Sequence, residues 1–331
     1  MLAVIILNWN GREVMEKFLP SVVKNTVGDT VELIVADNGS ADGSVDWVRE
    51  NYPSVKIIAF PENYGFAGGY DRAIREVDAE YILLLNSDVE TPEGWWQPLV
   101  EFMVSTPEAG AVQPKILSYR NRSKFEHAGA AGGLIDALGY PYARGRIGSK
   151  VEEDTGQYDS PRGIEVAWAS GAAMLVRKKA YIESGGLDSL FFAHMEEIDL
   201  CWRMMLAGYK IYTVTDSVVF HYGGASLAYG NPRKTYLNFR NNLLMLHKNL
   251  PRKRGKKFLF RRRLADTLAF MFFLFRGKFG DAKAVLRAHR DFKKMRKQYT
   301  EFPDQDILDM LPGTDKYIYL PLKKHGSKKK K

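Results

Sequence analysis

Residues 2–11 read LAVIILNWNG, a run of six apolar residues followed by a polar turn. Four further apolar runs follow within the first 120 residues, at positions 31–36, 55–60, 81–85 and 111–115. Their β-branched content and continuous apolarity predict strands that are buried on both faces. Amphipathic stretches at positions 13–24, 44–51, 66–77 and 95–105 alternate with them and predict helices. This alternation predicts an α/β fold in which helices flank a mostly parallel sheet.

After position 120, predicted strands and helices alternate less regularly. Strands are predicted at positions 172–176, 210–214 and 218–221, and helices at 178–184 and 200–207. Positions 118–165 are rich in Gly, Tyr and Arg and lack a clear period. They predict loops or a hairpin that covers the functional site.

Polar residues follow each of the first four apolar runs. They are NWNG at 8–11, DNGS at 37–40, PENYG at 61–65 and NSD at 86–88. Asn, Asp and Gly are ordinary turn formers, but four such strand ends in succession are hard to attribute to turns alone. Because ligands bind at the carboxyl ends of parallel strands, we expect a functional site there.

Asp88 closes the last of these segments, with Glu90 nearby. A carboxylate at a strand end can hold a hard cation such as Mg²⁺, which completes its coordination with water and phosphate oxygens. Asp37 and Asp42 could accept hydrogen bonds from a nucleoside. The GFAGG segment at 65–69 either lets backbone approach a ligand or packs a helix start against a strand. No strand, GxGxxG and helix occur in that order, so a dinucleotide site is not supported.

Glu196, Glu197 and Asp199 place three carboxylates within four residues at a helix start. Acidic residues there can simply complement the helix dipole. Alternatively, crowded carboxylates repel one another, which raises a pKa and yields a general base. His221 precedes two glycines at a strand end and is either structural or a metal ligand.

The composition excludes several classes of protein. The chain has 331 residues with a single Cys, which excludes a disulfide framework and a cysteine-based zinc site. The N-terminal apolar run lacks a basic region before it, so it does not resemble a secretory signal. The apolar run at 268–275 is too short to span a bilayer. We expect an intracellular protein.

Positive charge is concentrated near the C-terminus. Positions 252–331 hold 24 Lys+Arg and 8 Asp+Glu, a net charge of +16, whereas the whole chain carries +9 and the preceding part therefore −7. A nucleic-acid-binding body would carry the positive charge itself, so no nucleic-acid partner is expected. Basic clusters around LADTLAFMFFLF at 264–275 predict a helix in the headgroup region of an anionic membrane. The alternative is a solvated basic helix whose apolar stripe packs on the body.

Eight segments, in order between Leu2 and Leu246, match a known family. They are ILNWNG, VADNGSADGS, ENYGFAGG, LLLNSDVE, WASGAAMLVRKKAYIESGGLD, FFAHMEEIDLCWRMMLAGYKIY, FHYGGAS and YLNFRNNLLML. The chain resembles the family 2 glycosyltransferases with a GT-A fold, in the bacterial rhamnosyltransferase-like branch that builds cell-surface polysaccharides. The resemblance implies a GT-A domain at 1–230, with a nucleotide-binding half (about 1–117) and an acceptor half (about 118–230). It also implies a C-terminal helical, basic, membrane-surface segment at 231–331.

The resemblance also implies roles for individual residues. Donor-binding residues would be Asn8, Asn10, Asp37, Asn38, Asp42, Asn63, Gly65 and Asn86; acceptor-binding residues Gly171 and Trp168; metal ligands Asp88 and His221. Glu197 falls at the position of the catalytic base, with Glu196 and Asp199 as alternatives. The chain departs from the family pattern at two places: only Asp88 is acidic in the metal-binding triplet at 86–88, and the base is Glu rather than the usual Asp.

The implied reaction is the metal-dependent transfer of a hexose, with rhamnose as a candidate sugar, and with inversion at the anomeric carbon. The donor would be a UDP- or dTDP-sugar, the cofactor Mg²⁺ or Mn²⁺, and the acceptor a lipid-linked glycan or growing polysaccharide. The expected location is the cytoplasmic face of the inner membrane, bound peripherally. Two alternatives stay open: a sugar-phosphate nucleotidyltransferase, although NWNGR at 8–12 has few of the glycines and cations it would need, and a non-catalytic, membrane-docked scaffold.

Overall fold

The computed structural model describes residues 1–126, 129–148, 150–223, 231–311 and 318. Its strands are β1 (Leu2–Asn8), β2 (Val31–Asn38), β3 (Lys56–Phe60), β4 (Tyr81–Asn86), β5 (Val89–Glu90), β6 (Ala109–Ser118), β7 (Gly133–Ile135), β8 (Pro141–Ala143), β9 (Arg146–Ile147), β10 (Lys150–Val151), β11 (Ile164–Glu165), β12 (Ala173–Arg177) and β13 (Lys210–His221). Its helices are α1 (Arg12–Asn25), α2 (Ser44–Asn51), α3 (Gly65–Glu76), α4 (Gln97–Ser105), α5 (Lys178–Glu183), α6 (Glu196–Leu206), α7 (Pro232–Asn249), α8 (Arg252–Phe275) and α9 (Phe279–Met295).

Most of the strands form one large sheet. Within the described residues it has nine strands, in the order β11-β13-β6-β12-β4-β1-β2-β3, with β5 paired to the end of β13. Strands β4, β1, β2 and β3 are parallel to one another, and β13 is parallel to β6. β12 lies antiparallel between β4 and β6, so β6 and β13 point in the same direction as the first four strands. The predicted α/β class with a mostly parallel sheet is confirmed.

Helices cover both faces of this sheet, which explains the continuous apolar runs. Along β1, Ala3 and Ile5 belong to one apolar layer, and Val4 and Ile6 belong to the other. The first layer includes residues of α3, α6 and α7, and the second includes residues of α1 and α4. Apolar side chains are needed at consecutive positions of β1 because neither of its faces meets water. The prediction of burial on both faces is wrong for β3, which lies at the edge of the sheet and exposes Lys56 and Ala59.

Two predicted boundaries were wrong. The helix expected at 200–207 begins at Glu196, because Met195 adopts a left-handed conformation (φ 72°) that turns the chain into the helix four residues earlier. The two strands expected at 210–214 and 218–221 are the single strand β13, which continues beside β6 through a register irregularity between Val214 and Val218. The polar residues of that irregularity resemble a turn in sequence, but Thr215 and Ser217 are buried and hydrogen-bonded.

Positions 118–165 contain more structure than the loops or hairpin expected there. Strands β7 to β10 form a separate antiparallel sheet in the order β10-β9-β8-β7, and β11 joins the edge of the large sheet. These strands are two or three residues long, too short for a two-residue period to be visible in the sequence.

The three C-terminal helices pack against the same core. Leu243 and Leu246 of α7 lie in the apolar layer that covers the sheet, with Phe258 of α8 and Phe292 of α9. None of the helices in the described part of the chain is long and apolar enough to cross a membrane. The predicted boundary near residue 230 and the basic tail at 325–331 lie outside the described residues. The division into domains at 1–230 and 231–331 stays a prediction.

Arg262 joins α8 to the small sheet. Its buried guanidinium lies 3.3 Å from Asp266, 3.6 Å from the centre of the Tyr140 ring, and donates to the carbonyl of Leu138 at 3.2 Å. Asp266 in turn accepts a hydrogen bond from the Tyr140 hydroxyl at 2.7 Å and lies 2.9 Å from Nε2 of His289 in α9. This buried network connects α8 to both the small sheet and α9.

Candidate active site

The polar ends of three neighbouring strands meet at one edge of the sheet. Asn8 of β1 is paired in register with Asp37 of β2, and Leu7 of β1 is paired with Asn86 of β4. The amide of Asn8 donates to Oδ1 of Asp37 at 2.8 Å. The Oδ1 atom of Asn8 is buried and has no hydrogen-bond partner among the described residues. A buried acceptor of this kind is normally satisfied, so it marks a position where a ligand or water can donate a hydrogen bond.

The loop after β2 is held by side chains that the sequence analysis assigned to the donor. Asp37 accepts from the backbone N–H of Ser40 at 2.9 Å, and the Ser40 hydroxyl accepts from the N–H of Asn10 at 2.8 Å. Asp42 accepts from the hydroxyl of Ser44 at 2.6 Å. Burial alone would raise the pKa of Asp42, but the hydrogen bonds from Ser44 outweigh it and lower the pKa. The loop is therefore a fixed, anionic surface beside the strand ends.

Asn38 fixes the start of α3. Its amide donates to Oδ1 of Asn63 and to the carbonyl of Gly65, both at 3.0 Å, and its Oδ1 accepts from the N–H of Tyr64 at 3.1 Å. Gly65 has φ of 74°, and a Cβ there would lie 2.6 Å from the ring of Phe192. Glycine is required at this position because α3 starts in contact with the loop that leads to the acidic segment.

Asp88 and His221 are in direct contact. Nε2 of His221 lies 3.1 Å from Oδ1 of Asp88, and Nδ1 lies 3.1 Å from Oε2 of Glu126. Burial disfavours the imidazolium form, but the hydrogen bonds with Asp88 and Glu126 outweigh it and raise the pKa of His221 to about 10. The backbone carbonyl of Asp88 also accepts from the N–H of Tyr222 at 3.0 Å, which ties the two strand ends together.

Glu126 is a site residue that the sequence analysis missed. It lies 95 positions before His221, in the aperiodic segment at 118–165, where the sequence offered no signal to select it. A carboxylate that accepts the Nδ1–H of a histidine fixes the ring orientation and leaves Nε2 to bind a metal. The carboxylate–imidazole pair is therefore built in the way that metal-binding histidines commonly are.

The described residues supply too few ligands to coordinate a divalent cation by themselves, so a substrate would have to supply others. No group of three or more His, Cys, Asp and Glu side chains in the described residues is arranged as a metal site. The carboxylate of Asp88 is a suitable ligand for Mg²⁺ or Mn²⁺, and Nε2 of His221 could join it only after a bound cation displaces the Nε2 proton, which the raised pKa retains at neutral pH in the absence of metal. The remaining positions would be filled by water and by phosphate oxygens, which is the usual state of Mg²⁺ bound to nucleotides.

The loop before α6 has an unusual backbone. Phe192, His194 and Met195 have φ values of 65°, 68° and 72°, a left-handed conformation that costs about 1–3 kcal/mol for a residue other than glycine. Burial and the nearby charge of Lys234 lower the pKa of His194 to about 4, so its ring is neutral at pH 7. Strained residues of this kind persist only where the surroundings hold them, and they are concentrated at functional sites.

Glu196 and Glu197 lie in the first turn of α6, where Glu196 is buried and Glu197 is half-buried. Burial raises the pKa of Glu197 to about 7. Burial and the charge of Glu197 raise the pKa of Glu196 well above its ordinary value. One carboxylate oxygen of each residue, Oε2, has no hydrogen-bond partner among the described residues. The pair can therefore receive a proton near neutral pH, as a general base must.

Asp199, in the same turn, has different surroundings. Its carboxylate accepts hydrogen bonds from Arg203 at 2.9 Å, Lys248 at 3.0 Å and Asn249 at 2.7 Å. Burial alone would raise the pKa of Asp199, but the charges of Arg203 and Lys248 outweigh it and lower the pKa. Asp199 is thus an ionised anchor between α6 and α7.

The acceptor-side residues occupy different environments. A Cβ at Gly171 would lie 3.8 Å from the Cβ of Glu197, and the neighbouring carbonyl of Ala172 accepts from the N–H of Asn86 at 2.9 Å. Gly171 therefore lies between the end of β4 and the acidic segment. Trp168, in contrast, is in the core, and its indole N–H donates to the carbonyl of Leu134 at 2.9 Å. Trp168 therefore packs in the core, and its contact with an acceptor stays a prediction.

The four principal site residues lie at the same edge of the sheet. Asp37 and Asp88 end or follow the parallel strands β2 and β4, and His221 ends β13, which runs in the same direction. β12 is antiparallel to β4, so its start lies at this edge, and Gly171 comes shortly before that start. Glu197 lies next to Gly171 and is therefore at the same edge.

Comparison with known sequences identifies the family. A family model described as Glycosyl transferase family 2 matches residues 3–182, which is more than half of the chain. The chain belongs to glycosyl transferase family 2. This membership confirms the predicted family and the predicted enzyme class, a glycosyltransferase, and supports a hexosyltransferase. It also favours a glycosyltransferase over the sugar-phosphate nucleotidyltransferase that the sequence left open.

Two curated relatives within this glycosyltransferase family are rhamnosyltransferases. N-acetylglucosaminyl-diphospho-decaprenol L-rhamnosyltransferase of Mycobacterium tuberculosis is 27% identical over 237 residues, or 67% of this chain and 76% of the relative. Rhamnosyltransferase WbbL of Escherichia coli K12 is 24% identical over 229 residues, or 67% of this chain and 83% of the relative.

Solved structures share the fold of this glycosyltransferase. Mannosyltransferase PcManGT from Pyrobaculum calidifontis, crystallised with GDP-Man and Mn²⁺, has a TM-score of 0.53 at 15% identity and covers 88% of this chain and 86% of its own. GalNAc-T7, crystallised with UDP, GalNAc and Mn²⁺, has a TM-score of 0.58 at 14% identity and covers 75% of this chain. This chain spans about half of GalNAc-T7, since the match covers 48% of it. The GT-A fold predicted from the sequence is confirmed.

Proposed function

We propose that this glycosyltransferase is a metal-dependent, inverting hexosyltransferase that moves a sugar from a nucleotide donor to a lipid-linked glycan. The observation that carries the proposal is that Glu196 and Glu197 each have a buried Oε2 atom without a hydrogen-bond partner among the described residues, at the same sheet edge as the Asp88–His221 pair. One pair is suited to accept a proton, and the other to meet a diphosphate and its cation. A sugar placed between them would have a base on one face and its leaving group on the other.

Glu197 is assigned as the base and Asp199 as a positioning residue. With a pKa of about 7, roughly half of the Glu197 carboxyl groups are ionised at neutral pH and can take the proton of the attacking acceptor hydroxyl. The hydroxyl oxygen attacks the face of the anomeric carbon opposite to the diphosphate, so no covalent enzyme intermediate forms. Asp199, ionised and bound by two cations, keeps α6 in register with α7.

Asp88 and His221 would hold a divalent cation against the donor diphosphate. The bound cation would supply charge neutralisation for the departing diphosphate. Mn²⁺ in the two structural neighbours supports this cofactor for the chain, and either Mg²⁺ or Mn²⁺ matches the ligand set. Asn8, Asp37 and the loop at 38–44 would bind the nucleoside, because their polar atoms lie at the strand ends beside this pair.

The acceptor and the location are proposed from the relatives and from α8. A relative that acts on a decaprenol-linked sugar supports a lipid-linked acceptor. On α8, large apolar side chains are exposed at intervals of three or four residues along one stripe, namely Phe260, Leu264, Leu268, Met271, Phe272 and Phe275. An apolar stripe on a basic helix favours the surface of an anionic membrane, since it combines buried apolar area with electrostatic attraction. We therefore propose peripheral binding at the cytoplasmic face of the inner membrane.

A donor screen followed by product analysis tests this function. UDP-, dTDP- and GDP-sugars are added with and without Mn²⁺ while the melting temperature is measured. A true donor at 100 times its dissociation constant adds about 2.7 kcal/mol to the free energy of unfolding. We expect a metal-dependent response that Asp88→Ala abolishes, and a product whose anomeric configuration, read by NMR, is opposite to that of the donor. Retained configuration, or full activity of Glu197→Gln, contradicts the assignment.

A further inference from the structure

A second cleft lies away from the sheet edge, among the C-terminal helices. Its volume is about 720 Å³, within the usual range of small-molecule sites. Residues of α7, α8 and α9 and of the chain at 296–302 line it. None of the site residues discussed above is part of its lining.

The lining of the cleft is strongly basic. Five cations contribute to it, namely Arg252, Lys256, Arg263, Arg296 and Lys297, and no Asp or Glu does. Among the described residues, none of these five forms an ion pair, whereas Arg254 and Arg262 of the same helix pair with Asp306 and Asp266. Five uncompensated positive charges around one cavity favour an anion with several oxygen acceptors, such as a phosphate group.

The rest of the lining is apolar. Leu243, Leu259 and Phe292 are buried or half-buried in the cleft, and Phe260 lies at its rim with 62% of its surface exposed. Phe260 is also the first residue of the exposed stripe on α8 defined above. The anion site is thus continuous with an apolar track on the protein surface. A ligand that satisfies both parts carries a phosphate group and a hydrocarbon chain.

We propose that this cleft binds the phosphate headgroup of an anionic lipid, whose hydrocarbon chain follows the α8 stripe. The inference rests on the membrane association proposed above and specifies the residues that recognise the lipid. A free phosphate would meet the same cations but would leave the apolar part of the lining uncovered. A lipid is therefore favoured over a soluble phosphate.

Calorimetric titration with a short-chain phosphatidic acid, below its critical micelle concentration, tests the cleft without a membrane. The variant Lys256→Ala/Arg263→Ala removes two lining cations, and Lys253→Ala/Lys257→Ala removes the same charge from α8 outside the cleft. We expect the first variant to weaken binding at least about tenfold, since it loses charge-assisted hydrogen bonds to the phosphate. The second should leave binding within about twofold, and both should keep the melting temperature.

Control ligands identify the source of the phosphate, and a vesicle experiment distinguishes lipid binding in the cleft from binding to a membrane. Inorganic phosphate and a phosphatidylcholine of the same chain length should each bind at least about tenfold more weakly than the phosphatidic acid. If inorganic phosphate binds as tightly as the phosphatidic acid, the lipid assignment is overturned. The same holds if the two double variants lose the same affinity for the phosphatidic acid. Co-sedimentation with phosphatidylglycerol vesicles tests association with the membrane itself. If the protein binds vesicles but not the short-chain lipid, the proposed lipid site in the cleft is refuted and membrane association stands. If it binds neither, the proposed membrane association is refuted as well.

Discussion

The side-chain amide nitrogen of Asn241 lies 2.7 Å from the carbonyl oxygen of His194. The same nitrogen lies 2.9 Å from two further carbonyl oxygens of this loop, so one side chain of α7 holds three backbone groups. His194 and the following Met195 are in left-handed conformations that cost energy. The Asn241 contacts offset part of that cost and fix the direction in which Glu196 and Glu197 enter the site.

Replacing Asn241 with Ala should therefore affect catalysis more than donor binding. We expect kcat to fall on the order of 10- to 100-fold, because a base displaced by about 1 Å loses roughly that factor. The free energy of unfolding should fall by about 1–3 kcal/mol, since buried carbonyl groups lose their donor. Steady-state kinetics and urea unfolding measure the two effects. Asn238→Ala, on the same helix, is the matched control and should change neither; equal kcat values in both variants would contradict the role of the amide.

Activity should depend on pH through Glu197. The base works only when deprotonated, so kcat/KM should rise with pH through an apparent pKa near 7 and then level off. Glu197→Gln should remove this rise along with most of the turnover, while donor binding measured by thermal stabilisation stays. A pH profile with its rise near the ordinary value of 4.5 would show that the carboxylate is not buried in the active enzyme.

Stability provides an independent check on the same group. Burial raises the pKa of Glu197 from 4.5 to about 7, so the folded chain binds this proton more tightly than the unfolded chain does. By linkage, tighter binding of the Glu197 proton stabilises the folded chain. This stabilisation is fully present below pH 4.5 and is lost as the pH rises through about 7. Glu197→Gln should therefore flatten the fall in melting temperature between these values. An unchanged slope would contradict the raised pKa.

The sequence identified the strand-end residues because their positions follow from simple geometry. The run at 2–7 is apolar at each position, which requires burial on both faces, and a buried parallel strand must present its next residues at the carboxyl edge. This rule alone placed Asn8, Asp37 and Asn86 at one edge of the sheet, which the strand register confirms. The acidic segment was found because three carboxylates in four residues are unusual, whatever the fold.

Other parts of the site depend on contacts between distant residues. The separate environments of Glu197 and Asp199 could not be read from the sequence, because Lys248 and Asn249 reach Asp199 from a helix about 50 positions away. The family resemblance, rather than a contact visible in the sequence, placed Trp168 among the acceptor-binding residues. Its indole fills the space above Gly133, where a Cβ would lie 2.1 Å from the ring, and this pairing had no signal in the sequence.

Metal binding should depend on Glu126 as well as on Asp88. Glu126 holds Nδ1 of His221 at 3.1 Å, and loss of such an outer carboxylate commonly weakens metal binding about 10- to 100-fold. We expect Glu126→Gln to raise the dissociation constant for Mn²⁺, measured by electron paramagnetic resonance in the presence of the donor nucleotide. Glu90→Gln is the control, because Glu90 pairs with Arg122 on the surface near the same strand ends. Equal Mn²⁺ affinities in the two variants would remove Glu126 from the site.

Arg262 should be needed for the stability of the C-terminal helices. Arg262→Ala leaves Asp266 buried without its guanidinium partner, and breaking a buried ion pair in this way costs about 3–5 kcal/mol. Arg263→Ala, one position on and exposed, should change the free energy of unfolding by less than about 0.5 kcal/mol. Urea unfolding monitored by tryptophan fluorescence compares them. Because most of the cost is the uncompensated charge, Arg262→Met/Asp266→Leu should recover part of the loss. A double variant less stable than Arg262→Ala would instead show that the pair contributes through its hydrogen bonds to Tyr140 and Leu138.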